Sequence, residues 1–183
     1  MKDLWKNSGR TIYDTQGITN EWIYNNKTLY RYLEDRDFYN CPASREHHGA
    51  QLGGLYVHSL NVTHELLNLT EKLELTWERP ESPFIVGMLH DICKTDDYIY
   101  EAVPFPDVEI NKEKMFPGHG EKSLIMLAGV IDLTEEEKHC IRYHMGAFVD
   151  SKEWPYYSRA VRRYPNVLWT HTADMVASQI IEN

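Results

Sequence analysis

Apolar residues recur at helical spacing along most of this chain. Leu55, His58, Val62, Leu66 and Leu69 fall on one face, which predicts a helix over about 55–69 behind the pair Gly53-Gly54. Trp22, Ile23, Leu29, Tyr30 and Leu33 trace a similar stripe and predict a helix from Trp22 to Leu33. Pro83 opens an apolar run, Phe84-Ile85-Val86 and Met88-Leu89, expected as a buried helix that delivers His90 and Asp91 at its end. Gly118-His119-Gly120 starts a further helix reaching about Ile131. Thr134-Glu135-Glu136-Glu137 forms a capping box, and the helix it starts is expected to end near His144, Met145 and Gly146. Pro165 suits the first position of a last helix, which carries Asp174.

Two stretches break the pattern. From Thr95 to Pro117 the period fails, and Tyr98–Val103 and Val108–Ile110 flank Pro104-Phe105-Pro106-Asp107, a pattern that fits a short two-stranded flap. Phe148 to Tyr164, rich in aromatic and basic residues, reads as a loop. With no repeat, low-complexity tract or linker, the expectation is one all-α domain over 1–183, a helical bundle with at most a small hairpin near 97–115.

Composition narrows the setting. Of 183 residues, 42% are hydrophobic, enough for a core and too many for a disordered chain. The first residues carry no apolar leader pattern. The longest apolar stretch, Leu124–Ile131, is far shorter than the roughly 20 residues a membrane span needs. A soluble cytoplasmic protein without membrane contact is the expectation. Three scattered cysteines, Cys41, Cys93 and Cys140, form no C-x-x-C pair and read as reduced thiols. A net charge of −9 repels a long nucleic-acid duplex but allows small anionic substrates where a metal supplies local positive charge.

The chemistry concentrates in imidazoles and carboxylates. His90-Asp91 closes the apolar run, with His58 before it and His119, His144 and Asp174 after it. Such a set suits a divalent ion. Asp174 lies among Val167, Leu168, Trp169, Met175, Val176 and Ile180, where an unpaired buried carboxylate would be costly, so it requires an ion or a salt bridge. His171, one turn before Asp174, is a candidate support for the ligands, while His64 and His139 are expected to face solvent. There is no P-loop, no G-x-S-x-G elbow and no glycine-rich dinucleotide fingerprint.

The order of these residues resembles the HD-domain metallohydrolase superfamily. Pro42-Ala43-Ser44-Arg45-Glu46-His47-His48-Gly49 followed by Gly53-Gly54-Leu55-Tyr56-Val57-His58-Ser59-Leu60 is similar to the opening of bacterial HD domains. It looks most like the HD domain of YhaM-type 3′-to-5′ exoribonucleases and related proteins of mobile elements. His90-Asp91-Ile92-Cys93-Lys94, Gly118–Ser123, Arg142–Gly146 and His171–Asp174 are similar to the later motifs. The resemblance covers about 42–178 and leaves 1–41 as an N-terminal helical extension.

The resemblance implies that His58, His90, Asp91 and Asp174 bind one ion. It implies that His119 and His144 bind a second, with Asp91 bridging. It also implies a metal-dependent phosphohydrolase or phosphodiesterase acting on a nucleotide, cyclic nucleotide or short oligonucleotide through a metal-bound hydroxide. Asp91 and Lys94 are then the catalytic pair. The metal could be Mn, Fe, Mg, Ni or Zn, and a short single-stranded nucleic acid is a possible partner. Arg45, His48, Tyr157, Arg159 and Arg162 are candidate substrate contacts, since rings mixed with cations can stack a base and hold a phosphate. Six-ligand HD sites also occur in di-iron oxygenases acting on small polar substrates, so that reading stands as the alternative. A catalytically silent nucleotide sensor is a third.

Overall fold

A computed structural model describes residues 9–47, 49–100 and 108–182. The architecture is all-α, with a two-residue hairpin as the only sheet among the described residues.

The N-terminal stripe forms two helices, α1 (Ile12–Asn25) and α2 (Lys27–Asp35), where the sequence pattern predicted one from Trp22 to Leu33. Asn26 makes the break. Its side chain accepts a hydrogen bond from Leu29 N at 3.1 Å and caps α2, an alternative to helix continuation that Asn offers its own backbone. Ile23, Leu29 and Leu33 remain buried across the break. A capping box that the pattern reading did not identify starts α1: Asp14 N donates to the Thr11 hydroxyl at 3.2 Å, and Thr11 N donates to the Asp14 carboxylate at 2.9 Å. Thr15, buried on α1, pairs with His64 Nδ1 at 2.8 Å. His64 is therefore half-buried and ties α1 to the next helix, contrary to the expected solvent-facing position.

That helix, α3 (Gly54–Lys72), is the central rod. It packs against α1, α4 (Ser82–Leu89) and α9 (Asn166–Val176). Leu55, His58, Val62 and Leu66 are buried as the stripe predicted. All eight residues of α4 are buried, and its contact with α3 depends on Gly87. A Cβ there would lie 2.4 Å from Thr63 Oγ1 and 2.7 Å from Thr63 Cα. Gly87→Ala is expected to cost about 1–3 kcal/mol as overpacking. Chemical denaturation would measure it, and unchanged stability would contradict the tight α3–α4 approach.

Beyond α4 the chain makes one turn of helix, α5 (Lys94–Asp97). The hairpin follows, with β1 (Tyr98–Ile99) antiparallel to β2 (Glu109–Ile110), Tyr98 opposite Ile110 and Ile99 opposite Glu109. The rest of the expected flap, 101–107, lies outside the described residues. Next comes α6 (Gly120–Leu127), shorter than expected because Ala128 leaves the helical region at ψ 123°. The helix α7 (Glu135–Arg142) starts at the capping box read from sequence, with Glu137 N donating to the Thr134 hydroxyl at 3.2 Å. Buried Glu137 also receives a two-pronged pair from Arg79, at 2.8 and 2.7 Å, which fastens α7 to the turn before α4.

The largest departure lies in 148–164, expected as a loop. It contains α8 (Trp154–Arg163), with Pro155 in its first turn. Only Ala160 of this helix is buried; its apolar and charged residues do separate at helical spacing, and the aromatic-basic composition with Pro155 concealed that period. The last helix, α9, runs into a π turn (Ala177–Ile181) that bends the chain end back toward α3. Cys41, Cys93 and Cys140 are free and buried. Among the described residues, no helix is long and apolar enough to cross a membrane.

Candidate metal centre

Two helix ends build the centre. A helix leaves its last carbonyls without backbone partners. His90 follows α4 and its Nδ1 lies 2.9 Å from Gly87 O; His144 follows α7 and its Nδ1 lies 2.8 Å from Ile141 O. In both cases the ring sits on the carbonyl three residues earlier. A carbonyl can only accept, so Nδ1 carries the hydrogen and Nε2 of each neutral ring is a lone pair.

Both Nε2 atoms are fully buried without a hydrogen-bond partner. They face Asp91 instead: His144 Nε2 lies 3.3 Å from Asp91 Oδ1 and His90 Nε2 lies 3.9 Å from Asp91 Oδ2. Lone pairs aimed at a carboxylate repel unless a cation or a proton lies between them. Burial pushes the His90 imidazole down to about 4, so a proton does not serve at neutral pH. At His144 burial acts the same way, but the adjacent Asp91 carboxylate outweighs it and raises the ring, so at that nitrogen a proton can stand where a cation would. The Asp91 carboxyl is opposed by burial too, yet the Lys94 cation and the His144 ring hold it well below the usual carboxylate range.

The remaining candidates close around this pair. His58, buried on α3, places Nε2 3.2 Å from Asp174 Oδ1 on α9. Asp174 also groups with His90 and His144, one ligand atom from each lying within 4.8 Å of the others; His58, His90 and Asp91 form a second such group. The carboxylate that sequence reasoning found too costly to leave unpaired is thus matched by imidazoles. His119, at the start of α6, brings Nδ1 to 3.8 Å from Asp91 Oδ1. All six residues expected as ligands converge, and buried groups of His, Asp and Cys side chains here could hold a metal ion.

Glu182 was not identified from the sequence. The π turn carries it back to α3, where both carboxylate oxygens lie 3.2 Å from His58 Nδ1 and Asn61 Nδ2 donates to Oε1 at 2.9 Å. Burial alone would lower the His58 ring, but the Asp174 and Glu182 carboxylates at its two nitrogens raise it to about 10. A carboxylate behind a ligating imidazole fixes its tautomer and strengthens it as a donor. No spacing rule points to this residue, since it lies 124 positions from His58. Glu182→Gln is expected to weaken metal binding by about 10–100-fold. Titration with a competing chelator would measure this, and an unchanged affinity would remove the supporting role.

A cavity of about 290 Å³ opens onto the centre. Asp91, Lys94, His119 and Asp174 line its inner wall, with Phe148, His171 and Gln179 among its other walls. Lys94 Nζ sits 3.9 Å from Asp91 Oδ2, mostly buried and 5.7 Å from the centre of the Tyr98 ring. His171 donates from Nδ1 to His144 O at 2.8 Å, which supports its expected place behind the ligands. Gly146 is needed for that packing: φ is +57°, and a Cβ would meet the His171 ring at 2.6 Å.

The expected substrate contacts are not brought to this cavity. Arg45 pairs on the surface with Glu46 at 3.3 Å. Tyr157 packs against Tyr143 with its ring tilted by 53° and ring centres 6.0 Å apart. Arg159 folds over Tyr156, and Arg162 is exposed on α8. His48 lies outside the described residues. Because 154–163 is a helix, its cations project along the outer surface rather than into the cavity mouth, and the residues after His144 and the π turn form the rim instead. Compared with models of protein families, with curated proteins and with solved structures, the chain gives no match.

Proposed function

We propose that this chain is a metal-dependent phosphohydrolase of the HD type, holding two divalent ions. The observation that carries this reading is the buried Nε2 lone pair of His90, with no hydrogen-bond partner and turned toward Asp91 beside His144 and Asp174. A donor set of imidazoles and carboxylates around one shared carboxylate fits a pair of first-row divalent ions. His58, His90, Asp91 and Asp174 would hold one, and His119 and His144 the other, with Asp91 shared. Bound there, the ions would supply Lewis acidity at a phosphoryl oxygen and a water of lowered pKa.

The chain's own residues supply the rest. Lys94 keeps its cation in the mostly buried wall of the cavity, where burial opposes the charge and Asp91 more than restores it. An ammonium so placed stabilises negative charge that develops on a phosphoryl or leaving oxygen. Glu182 and His171 hold the ligands from behind, so that a substrate meets a preorganised wall. The cavity, lined also by Phe148 and Gln179, has a volume of about 290 Å³, on the scale of a small-molecule site.

The test is turnover on a phosphoester panel after loading with Mn²⁺: cyclic nucleotides, nucleoside monophosphates, and short RNA and DNA strands, with oxygen consumption followed in parallel. Release of phosphate or nucleotide, abolished by chelation, is the expected outcome. Oxygen uptake without phosphoester cleavage would replace this reading with the di-iron oxygenase one.

A further inference from the structure

Three donor atoms surround a single oxygen of the shared carboxylate. Around Asp91 Oδ1 lie His144 Nε2 at 3.3 Å, His119 Nδ1 at 3.8 Å and Cys93 Sγ at 3.9 Å. Cys93 Sγ is also 3.5 Å from His119 Nδ1. One ligand atom each from Asp91, Cys93 and His119 lies within 4.8 Å of the others. The turn that aims the thiol is fixed, since Cys93 N donates to Ser123 Oγ at 3.3 Å on α6, the helix that begins beside His119.

We propose that Cys93 is a ligand of the second ion, and that this position takes a thiolate-accepting metal such as zinc or iron in preference to magnesium. The inference rests on the two-ion reading above. Its first support is distance. A tetrahedral ion with a sulfur at about 2.3 Å and a nitrogen at about 2.0 Å sets the two ligand atoms about 3.5 Å apart, the spacing found between Cys93 and His119.

The second support is independent of the cysteine. His144 Nε2, buried and unpartnered, points at the same carboxylate oxygen. The third is charge. Lys94 stands on the other oxygen of Asp91, so a divalent ion on this side adds to a cation already present, and a thiolate offsets it.

On binding, the S–H bond breaks, a metal–sulfur bond forms, and the proton leaves to solvent. No electron is transferred. Thiolate is a soft donor and selects against the hard oxygen-seeking ions. The sequence alone did not reveal this, because Cys93 lacks a nearby soft partner along the chain and meets His119 only across the fold.

Cobalt substitution tests the proposal without relying on turnover. Wild-type protein loaded with Co²⁺ is expected to show visible ligand-field bands and a near-ultraviolet thiolate-to-cobalt band. In Cys93→Ser the thiolate band should vanish while the ligand-field bands persist. The preference for Zn²⁺ over Mg²⁺ should fall by at least the roughly 10–100-fold that loss of an outer partner costs. Ligand-field bands without a thiolate band in the wild type would overturn the role of Cys93 and leave the metal centre standing. No cobalt binding at all would remove both. Should Cys93→Ser fail to fold, X-ray absorption of the zinc-loaded wild type decides the matter: a sulfur shell at about 2.3 Å supports the proposal, and nitrogen and oxygen alone refute it.

Discussion

Asp91→Ala is expected to purify without bound metal and without phosphoester turnover. Among the described residues, Asp91 faces His90, His144, His119 and Lys94 together. Its loss takes the shared ligand from both proposed ion positions. It also takes the nearest counter-charge from the Lys94 ammonium beside the remaining imidazoles, an arrangement less favourable to a divalent ion. The effect can be read as stability as well as content. An ion at about 1,000 times its dissociation constant stabilises a folded protein by about 4 kcal/mol. Added metal should raise the melting temperature of the wild type and leave that of Asp91→Ala unmoved. Asp91→Asn preserves the volume and guards against a packing artefact. Full metal content in either variant, measured by elemental analysis, would defeat the assignment.

Lys94→Ala should behave differently, retaining metal but losing turnover by about 10²–10³-fold, the usual consequence of removing one group that stabilises developing charge. Lys94 has no lone pair to offer an ion while protonated, and its cation is favoured by Asp91 in spite of burial. Removing that charge should, if anything, ease ion binding. The split between metal content and turnover therefore separates a residue that stabilises charge from one that ligates. Equal loss of both would place Lys94 in the structural support of Asp91 and not at the substrate.

The two variants probe residues that were legible before any coordinates. His58, His90, Asp91 and Asp174 stood out because ionisable side chains fall on or close apolar runs, and such interruptions require a partner; Lys94, His119 and His144 stood out only through the resemblance of their motifs. The helices that carry most of them were legible too, through the stripe of α3, the apolar run of α4 and the capping box of α7. Those signals are local: a period, a cap and a proline each act within a turn or two of chain. The break at Asn26 was also local but was masked by the apolar stripe on both sides. The helix α8 was hidden by its composition, since rings and cations around Pro155 read as a loop although they separate at helical spacing.

Six of the side chains that could serve a metal were legible in the sequence and its resemblance, and local helix ends place the Nδ1 hydrogens of His90 and His144, because each ring donates to a carbonyl only three residues away. Tertiary structure alone decided the rest. It brought Glu182 onto His58, Cys93 onto His119, and His171 onto His144. It also turned the cations of α8 away from the cavity that the aromatic-basic stretch had seemed to line. Contacts of this kind depend on how rods pack and where their ends meet, and a packing direction is a property of several faces at once. No spacing along one strand of sequence records it.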